Sequence, residues 1–284
     1  MKTLTNQIET DFDGREKMMR TTLGIVQKYQ LPLIDERIQI WNNGTRKDKY
    51  DLLDVLITNE DPKLTLEEIK AQIIEIIIAS IDNTSNAIEW AIAEMINKPT
   101  ILKRAVEELD HVVGRQKLVE EHDLPQLNYL KACIKETFRL HPLIHLVPPH
   151  VSTMDTMVTS YFIPKGSHIM LSHFGLGRNP NVWADPLGFD PDQHLLGEGK
   201  QVVLTDSELR LISSSTGKHG CPRIMLGTSM TTMMLARMVQ GFTWEAPCNE
   251  RSIELVENHN DLCLAKPLVA HAKRRLRRDM YPTY

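Results

Sequence analysis

The sequence predicts a mainly α-helical protein carrying small β-sheets. Three observations carry that prediction. Apolar residues recur at helical spacing through most of residues 3–140. After His141-Pro142 the pattern turns to short alternating stretches broken by Pro and Gly. A loop of small residues then runs from Leu211 to Cys221 and opens into an apolar, Met-rich helix. At 284 residues the chain can form one large domain or two, with ample core. A hydrophobic content of 42% and a net charge of -4 read as soluble and globular and lack the basic balance that nucleic acid requires, so no nucleic-acid partner is expected.

Taken in order, residues 3–41 place Met18, Leu23, Ile25, Val26, Leu33, Ile34, Ile38 and Trp41 at mixed helical spacing, interrupted at Pro32, which predicts two helices. Asn42 to Lys49 reads as a polar loop and Asp51 to Ile57 as a short helix. Thr65 with Glu68 forms a capping-box pattern opening a long helix that reaches Asn97 before Pro99. Its middle, Ala79 to Asn86 (ASIDNTSN), is a polar patch, and each polar group buried there without a partner costs about 1 to 3 kcal/mol. Ser and Thr back-bonding that bends the helix is the structural explanation.

Residues 100–113 and 128–140 read as amphipathic helices, the second placing Glu136 and Arg139 on one face within ion-pair reach. An exposed pair of this kind contributes little. A strand pair is predicted at Met157 to Ile163 and His168 to Ser172 across a turn at Pro164-Lys165-Gly166. Five methionines in the helix after Cys221 read as core filling. The tail Lys273 to Arg278 reads as a solvated basic segment. His141, His145 and His150 read as structural histidines, because no carboxylate or Cys accompanies them at ligand spacing. Cys133, Cys221, Cys248 and Cys263 lie far apart with no CxxC pair, which disfavours a disulfide framework or structural zinc. The most apolar run, Ile73 to Ile81, is too short to span a bilayer, and no membrane anchor is read in this chain.

Cys221 carries the most chemical promise. Pro222 is suited to the first position of a helix, which places Cys221 at the N-cap. Unpaired backbone N–H groups and the helix dipole favour thiolate over thiol there, the form that ligates metal or attacks an electrophile. A buried, inert cysteine is the bland alternative.

The loop from Ser215 to Cys221 (STGKHGC) resembles the haem-binding loop of cytochromes P-450, F-x-x-G-x-R-x-C-x-G, with Gly217 and Cys221 matching. It also resembles the version found in plant amino-acid N-monooxygenases that form aldoximes. Within the long helix, Asp82 to Asn86 (DNTSN) is similar to that subgroup's D-N-P-S-N, and KETFRLHP, Lys135 to Pro142, to the family's E-x-x-R helix. Phe189 to His194 (FDPDQH) resembles the P-E-R motif, and Glu257 to Leu264 the last pocket-lining segment.

The resemblance implies haem with Cys221 as the axial thiolate, whose electron donation favours O–O cleavage. It implies that Asp82, Asn83 and Thr84 manage protons or substrate beside bound oxygen. His150 and His219 lie where haem propionates are met, and Glu136 with Arg139 anchors the loop bearing the cysteine. The implied reaction is N-hydroxylation of a free amino acid by O2, leading to an aldoxime, with electrons from an NADPH-cytochrome P-450 reductase. Full-length relatives reside on the cytosolic face of the endoplasmic reticulum membrane. Residues 1–284 correspond to the C-terminal, haem-binding part of that fold, with the N-terminal portion absent.

Six residues depart from the family or subgroup pattern, among them Thr84 for a Pro and Asp192 for a Glu. Ser214 replaces a Phe, His219 an Arg, Arg223 a Gly or Ala, and Gln193 an Arg. The last removes the third member of the Glu136–Arg139 network and leaves one charge poorly compensated. These departures motivate the alternative of a truncated or degenerate, non-catalytic relative that binds haem poorly.

Overall fold

A computed structural model describes residues 14–195, 201–205, 210–258 and 262–281. Residues 3–13 of the first predicted helical stretch, His259 to Asp261 of the pocket-lining stretch and Pro282 to Tyr284 at the end lie outside it. So does the His219 side chain. The chain divides into two compact units, Met1–Ile81 and Asp82–Tyr284.

In the first unit, α1 (Arg15–Asn42) is one helix where two were expected, with Pro32 inside it. Proline removes one helical hydrogen bond, yet Pro32 and Lys28, the residue whose carbonyl loses its donor, are both exposed, so water can take the place of that donor. The short helix α2 (Leu52–Ile57) follows a complete capping box between Asp51 and Asp54. Asp54 is fully buried and accepts from Trp41 Nε1 at 2.9 Å, Arg37 Nη1 at 2.8 Å and the Tyr50 N–H at 2.9 Å. Burial opposes its charge, but these bonds outweigh that and hold the carboxyl well below the usual carboxylate range.

Helix α3 (Leu66–Asn97) opens as its sequence predicts. The Thr65 N–H donates to Glu68 Oε2 at 2.8 Å and the Glu68 N–H to Thr65 Oγ1 at 3.3 Å. Its last three turns enter the second unit's core, where Trp90, Ala93 and Met95 are fully buried. Packed there are α4 (Pro99–Val112), α5 (Asn128–Leu140) and α7 (Ile224–Gly241), which contribute Leu109, Leu130, Ile134, Leu235 and Val239. Each such side chain stabilises the unit by about 1.5 to 3 kcal/mol when fully buried. The methionines of α7 are core filling only in part: Met233 and Met238 pack against the core, Met225 and Met234 are exposed, and Leu235, Ala236 and Val239 form the buried stripe. Gln240, at the end of that helix, is fully buried and fully used. It accepts from the Val119 N–H and donates to the Gly114 and Lys117 carbonyls, each at 3.0 Å.

Among the described residues the β structure consists of three two-stranded antiparallel sheets. Met157 to Ile163 is not one strand but a hairpin, β2 (Thr156–Val158) on β3 (Tyr161–Ile163), because Thr159 turns the chain at a φ of 53°. β4 (His168–Ile169) pairs instead with β1 (His150–Val151). A short helix α6 (His173–Gly177) follows, capped by Ser172. β5 (Phe242–Glu245) pairs with β6 (His271–Arg274). The basic tail is therefore structured: Lys273 and Arg274 lie in β6, and Arg275 binds Asp110 at 2.8 Å and the Gln240 carbonyl at 2.8 Å. Among the described residues no helix is long and apolar enough to cross a membrane.

Candidate functional site

The loop before α7 is built by turns that its small residues permit. Ser215 and Gly217 take positive φ values of 58° and 66°, and nothing lies within 4 Å of where a Gly217 Cβ would stand. Glycine is thus favoured at 217 for its conformation rather than for lack of space. The loop closes where the Cys221 N–H donates to the Ser214 carbonyl at 2.8 Å. Ser214, in place of the expected Phe, holds the cysteine through its backbone. The expected N-cap geometry is not formed. Helix α7 begins at Ile224 with Arg223 as its N-cap residue, and Cys221-Pro222 forms the turn before it. The bland reading fails as well, for Cys221 is exposed, whereas Cys133 is buried and burial pushes its thiol well up.

A free, exposed sulfur on a closed loop, with the exposed apolar side chains of Met225 and Leu226 following it, fits in kind what a haem thiolate requires. A cavity of about 320 Å³ is lined by Val147 to Val151, including His150, and by Ser215. It brings the His150 segment against the cysteine loop at Ser215.

The polar patch of α3 resolves into separate roles. Ser80 Oγ back-bonds to the Ile76 carbonyl at 2.6 Å and Ser85 Oγ to the Asp82 carbonyl at 3.1 Å, the bonding pattern expected from the sequence. Asp82 and Asn83 are exposed and line a cleft of about 630 Å³ with Asn86, Glu89, Met234, Met238 and Leu262. Thr84 is buried, 5% exposed, and lines none of the described cavities, which separates it from its two neighbours. None of three cavities, the 630 Å³ cleft, the 320 Å³ cavity beside His150 and the one along Leu204 to Thr216, is lined by both Cys221 and residues 82–84.

Glu136 and Arg139, the pair that the resemblance set apart from ordinary exposed i,i+3 pairs, are both fully buried. Arg139 grips Glu136 through two bonds, 2.8 and 2.7 Å, and donates to the carbonyls of Gly177, Pro186 and Gly188 at 2.6 to 2.8 Å. Glu136 also accepts from the Asp190 N–H at 2.7 Å, Gln193 Nε2 at 3.0 Å and His194 Nε2 at 2.7 Å. Gln193 thus supplies the donor that its loss of charge was expected to remove, and the carboxylate is not poorly compensated. Burial alone would raise the Glu136 carboxyl, but Arg139 and His194 hold it below its ordinary value. Burial lowers His194 more than Glu136 raises it, so its imidazole is neutral at pH 7. The segment anchored is 177–194 and not, among the described residues, the cysteine loop. His194 was missed in the sequence; its place beside Gln193 in the same motif is the signal that could have found it.

The histidines after α5 divide similarly. His141 stacks on Trp90 with ring centroids 3.8 Å apart and bonds Glu94 at 2.9 Å, and His145 packs on Phe174. Among the described residues no group of three or more His, Cys, Asp or Glu is placed to hold a metal ion.

The second unit thus brings together a long helix with an acid–amide pair in a cleft, a buried Glu–Arg pair and an exposed thiol on a closed loop before an apolar helix. The family model for cytochrome P450 matches residues 8–271, and the chain belongs to that family. It is 53% identical to tryptophan N-monooxygenase 1 of Arabidopsis thaliana over 277 residues, covering 96% of this chain and 51% of that protein. It is 54% identical to valine N-monooxygenase 1 of Manihot esculenta, with 96% and 51% covered, and 49% identical to tyrosine N-monooxygenase of Sorghum bicolor, with 96% and 50% covered. The chain spans about half the length of these relatives.

Proposed function

We propose that the chain is the haem-binding half of an amino-acid N-monooxygenase, hydroxylating the amino nitrogen of a free amino acid on the way to an aldoxime. The observation that carries the reading is the exposed Cys221 on its closed loop, in a chain about half identical to amino-acid N-monooxygenases over 96% of its length. Haem, when bound, supplies the oxidising power from O2 and two electrons. Cys221 is the group that would hold its iron, Gly217 the residue whose positive φ shapes the loop, and His150 and His219 the neighbours of the propionates. Asp82 and Asn83, exposed in one cleft, are placed to bind water and pass protons or to hold substrate. Thr84, being buried, is assigned to packing. Electrons would come from an NADPH-dependent reductase at the endoplasmic reticulum membrane, where the family generally resides.

The degenerate alternative loses one of its motives, since Gln193 keeps Glu136 bonded. The test is to load the chain with haem, add reductase, NADPH and O2, and offer tryptophan, valine, phenylalanine and tyrosine in turn. An aldoxime detected by mass spectrometry from at least one amino acid, and lost in Asp82→Ala, is the expected result. Retained haem with no oxime from any of the four would overturn the reading.

A further inference from the structure

A second exposed thiol stands away from the loop of Cys221, beside an imidazole on the β5–β6 sheet. The register of that sheet pairs Glu245, the last residue of β5, with His271, the first of β6. Residues opposite one another leave a sheet on the same face. Along β5, Thr243 and Glu245 are exposed while Phe242 and Trp244 are half-buried, so His271 stands on the solvent face with Glu245. A turn follows β5, closed where the Glu250 N–H donates to the Pro247 carbonyl at 2.8 Å, and Cys248 is its second residue. Cys248 Sγ lies 3.2 Å from His271 Nε2, a meeting of residues 23 positions apart. A slip of one residue in the strand register would turn His271 to the other face and undo it.

That separation lets the two side chains share a hydrogen. A neutral imidazole that carries its own hydrogen on Nδ1 accepts the thiol hydrogen at Nε2, and from there it can give it back. The thiolate is the nucleophilic form of cysteine, and a base within hydrogen-bond reach generates it at the moment of attack. Both side chains are exposed, so a molecule in solution reaches the sulfur without movement of the fold. The other cysteines stand differently. Cys133 is buried, and burial pushes its thiol well up. Cys263 is half-buried along the 630 Å³ cleft, and Cys221 is the sulfur assigned above to haem iron.

We propose that Cys248 is a site of reversible S-thiolation, attacking small disulfides with His271 as its proton acceptor and donor. The Cys248 S–H bond breaks and its proton passes to His271 Nε2, while the sulfur's electron pair forms a new S–S bond to one half of the disulfide. The old S–S bond breaks with its electron pair on the other half, which takes the proton from His271 and departs as a thiol. Cys248 is oxidised to a mixed disulfide and the departing half is reduced, so the small disulfide is the sole oxidant. Excess thiol reverses the exchange. The proposal rests on neither haem nor the function proposed above.

The experiment incubates the full 284-residue chain with glutathione disulfide, stops the reaction at intervals and locates each added glutathione by peptide mass spectrometry, which reads Cys221 and Cys248 separately. The rate constant at Cys248 is expected to exceed, at least about tenfold, that of a synthetic peptide of residues 245–251, which carries Cys248 without His271. His271→Gln is expected to bring Cys248 down to the rate of the peptide, and dithiothreitol to remove the adduct. No adduct at Cys248, a rate no higher than that of the peptide, or an unchanged rate in a folded His271→Gln protein would overturn the proposal. Should His271→Gln not fold, the comparison of the unaltered chain with the peptide still decides it.

Discussion

Replacing Arg139 by Leu tests the buried anchor of the second unit. Arg139 is 0% exposed and makes five bonds, two to the Glu136 carboxylate and three to the carbonyls of Gly177, Pro186 and Gly188. Leucine fills much of the volume but leaves a buried carboxylate without its cation. Breaking a buried pair from one side costs about 3 to 5 kcal/mol, against about 0 to 1 for an exposed pair. Gln193 and His194 still donate to Glu136 and the orphaned carbonyls can relax toward water, so the lower end, about 3 kcal/mol, is the expected loss. The assay is urea unfolding followed by tryptophan fluorescence, since the Trp183 ring lies 5.1 Å from the Arg139 guanidinium and reports the same segment. The double variant Glu136→Leu with Arg139→Leu should recover part of the loss, because it removes the uncompensated charge while leaving the three carbonyls orphaned. A loss below about 1 kcal/mol in Arg139→Leu, or a double variant no better than the single, would refute the reasoning.

The same network gives the second unit an acid-sensitive stability. Glu136 and His194 both titrate below their ordinary values of 4.5 and 6.5, so the unfolded chain binds more protons than the folded one. Stability should be full above pH 6.5, decline from there as His194 is asked to charge, and decline further below pH 4.5; His194→Asn should remove the upper part of the decline in pH-dependent urea midpoints. Gln240→Leu strips partners from three backbone groups at once and should cost about 3 kcal/mol in the same assay. Asp54→Ala should abolish the cooperative unfolding of the first unit as read by Trp41 fluorescence, because Arg37, Trp41 and the Tyr50 amide lose one shared acceptor. His219→Arg, which substitutes a permanent bidentate cation for a group mostly neutral at pH 7, should slow loss of bound haem to apomyoglobin.

Much of the architecture could be read from local chemistry. The Thr65–Glu68 capping box, the end of the long helix at Asn97 before Pro99 and the amphipathic 128–140 stretch each depend on residues within a turn of one another, and each formed as read. The errors arose where distant partners decide. Glu136 and Arg139 look like any surface pair three residues apart until residues 177–194 close over them. Gln193 looks like a lost charge until its amide is seen to reach the same carboxylate. Pro32 marks a helix break by its ring, but an exposed helix tolerates the missing bond. Thr159 hides a hairpin because a non-glycine residue at positive φ leaves no signature in the sequence. In the site, Cys221 was legible through its Gly-rich approach, while its distance from the helix start depended on which of Pro222, Arg223 and Ile224 took the first helical turn. Asn86 stood in plain view within the polar patch, but its bond to the Leu262 carbonyl joins residues 176 positions apart.

The central claim is that Cys221 presents a thiolate to haem iron, and the reduced, carbon-monoxide-bound difference spectrum of the haem-loaded chain tests it most directly. The account predicts the red-shifted Soret band that thiolate ligation produces, and its replacement by a shorter-wavelength band, or by no haem uptake, in Cys221→Ser. A spectrum of the same form in both proteins, or no haem bound by either, would contradict it.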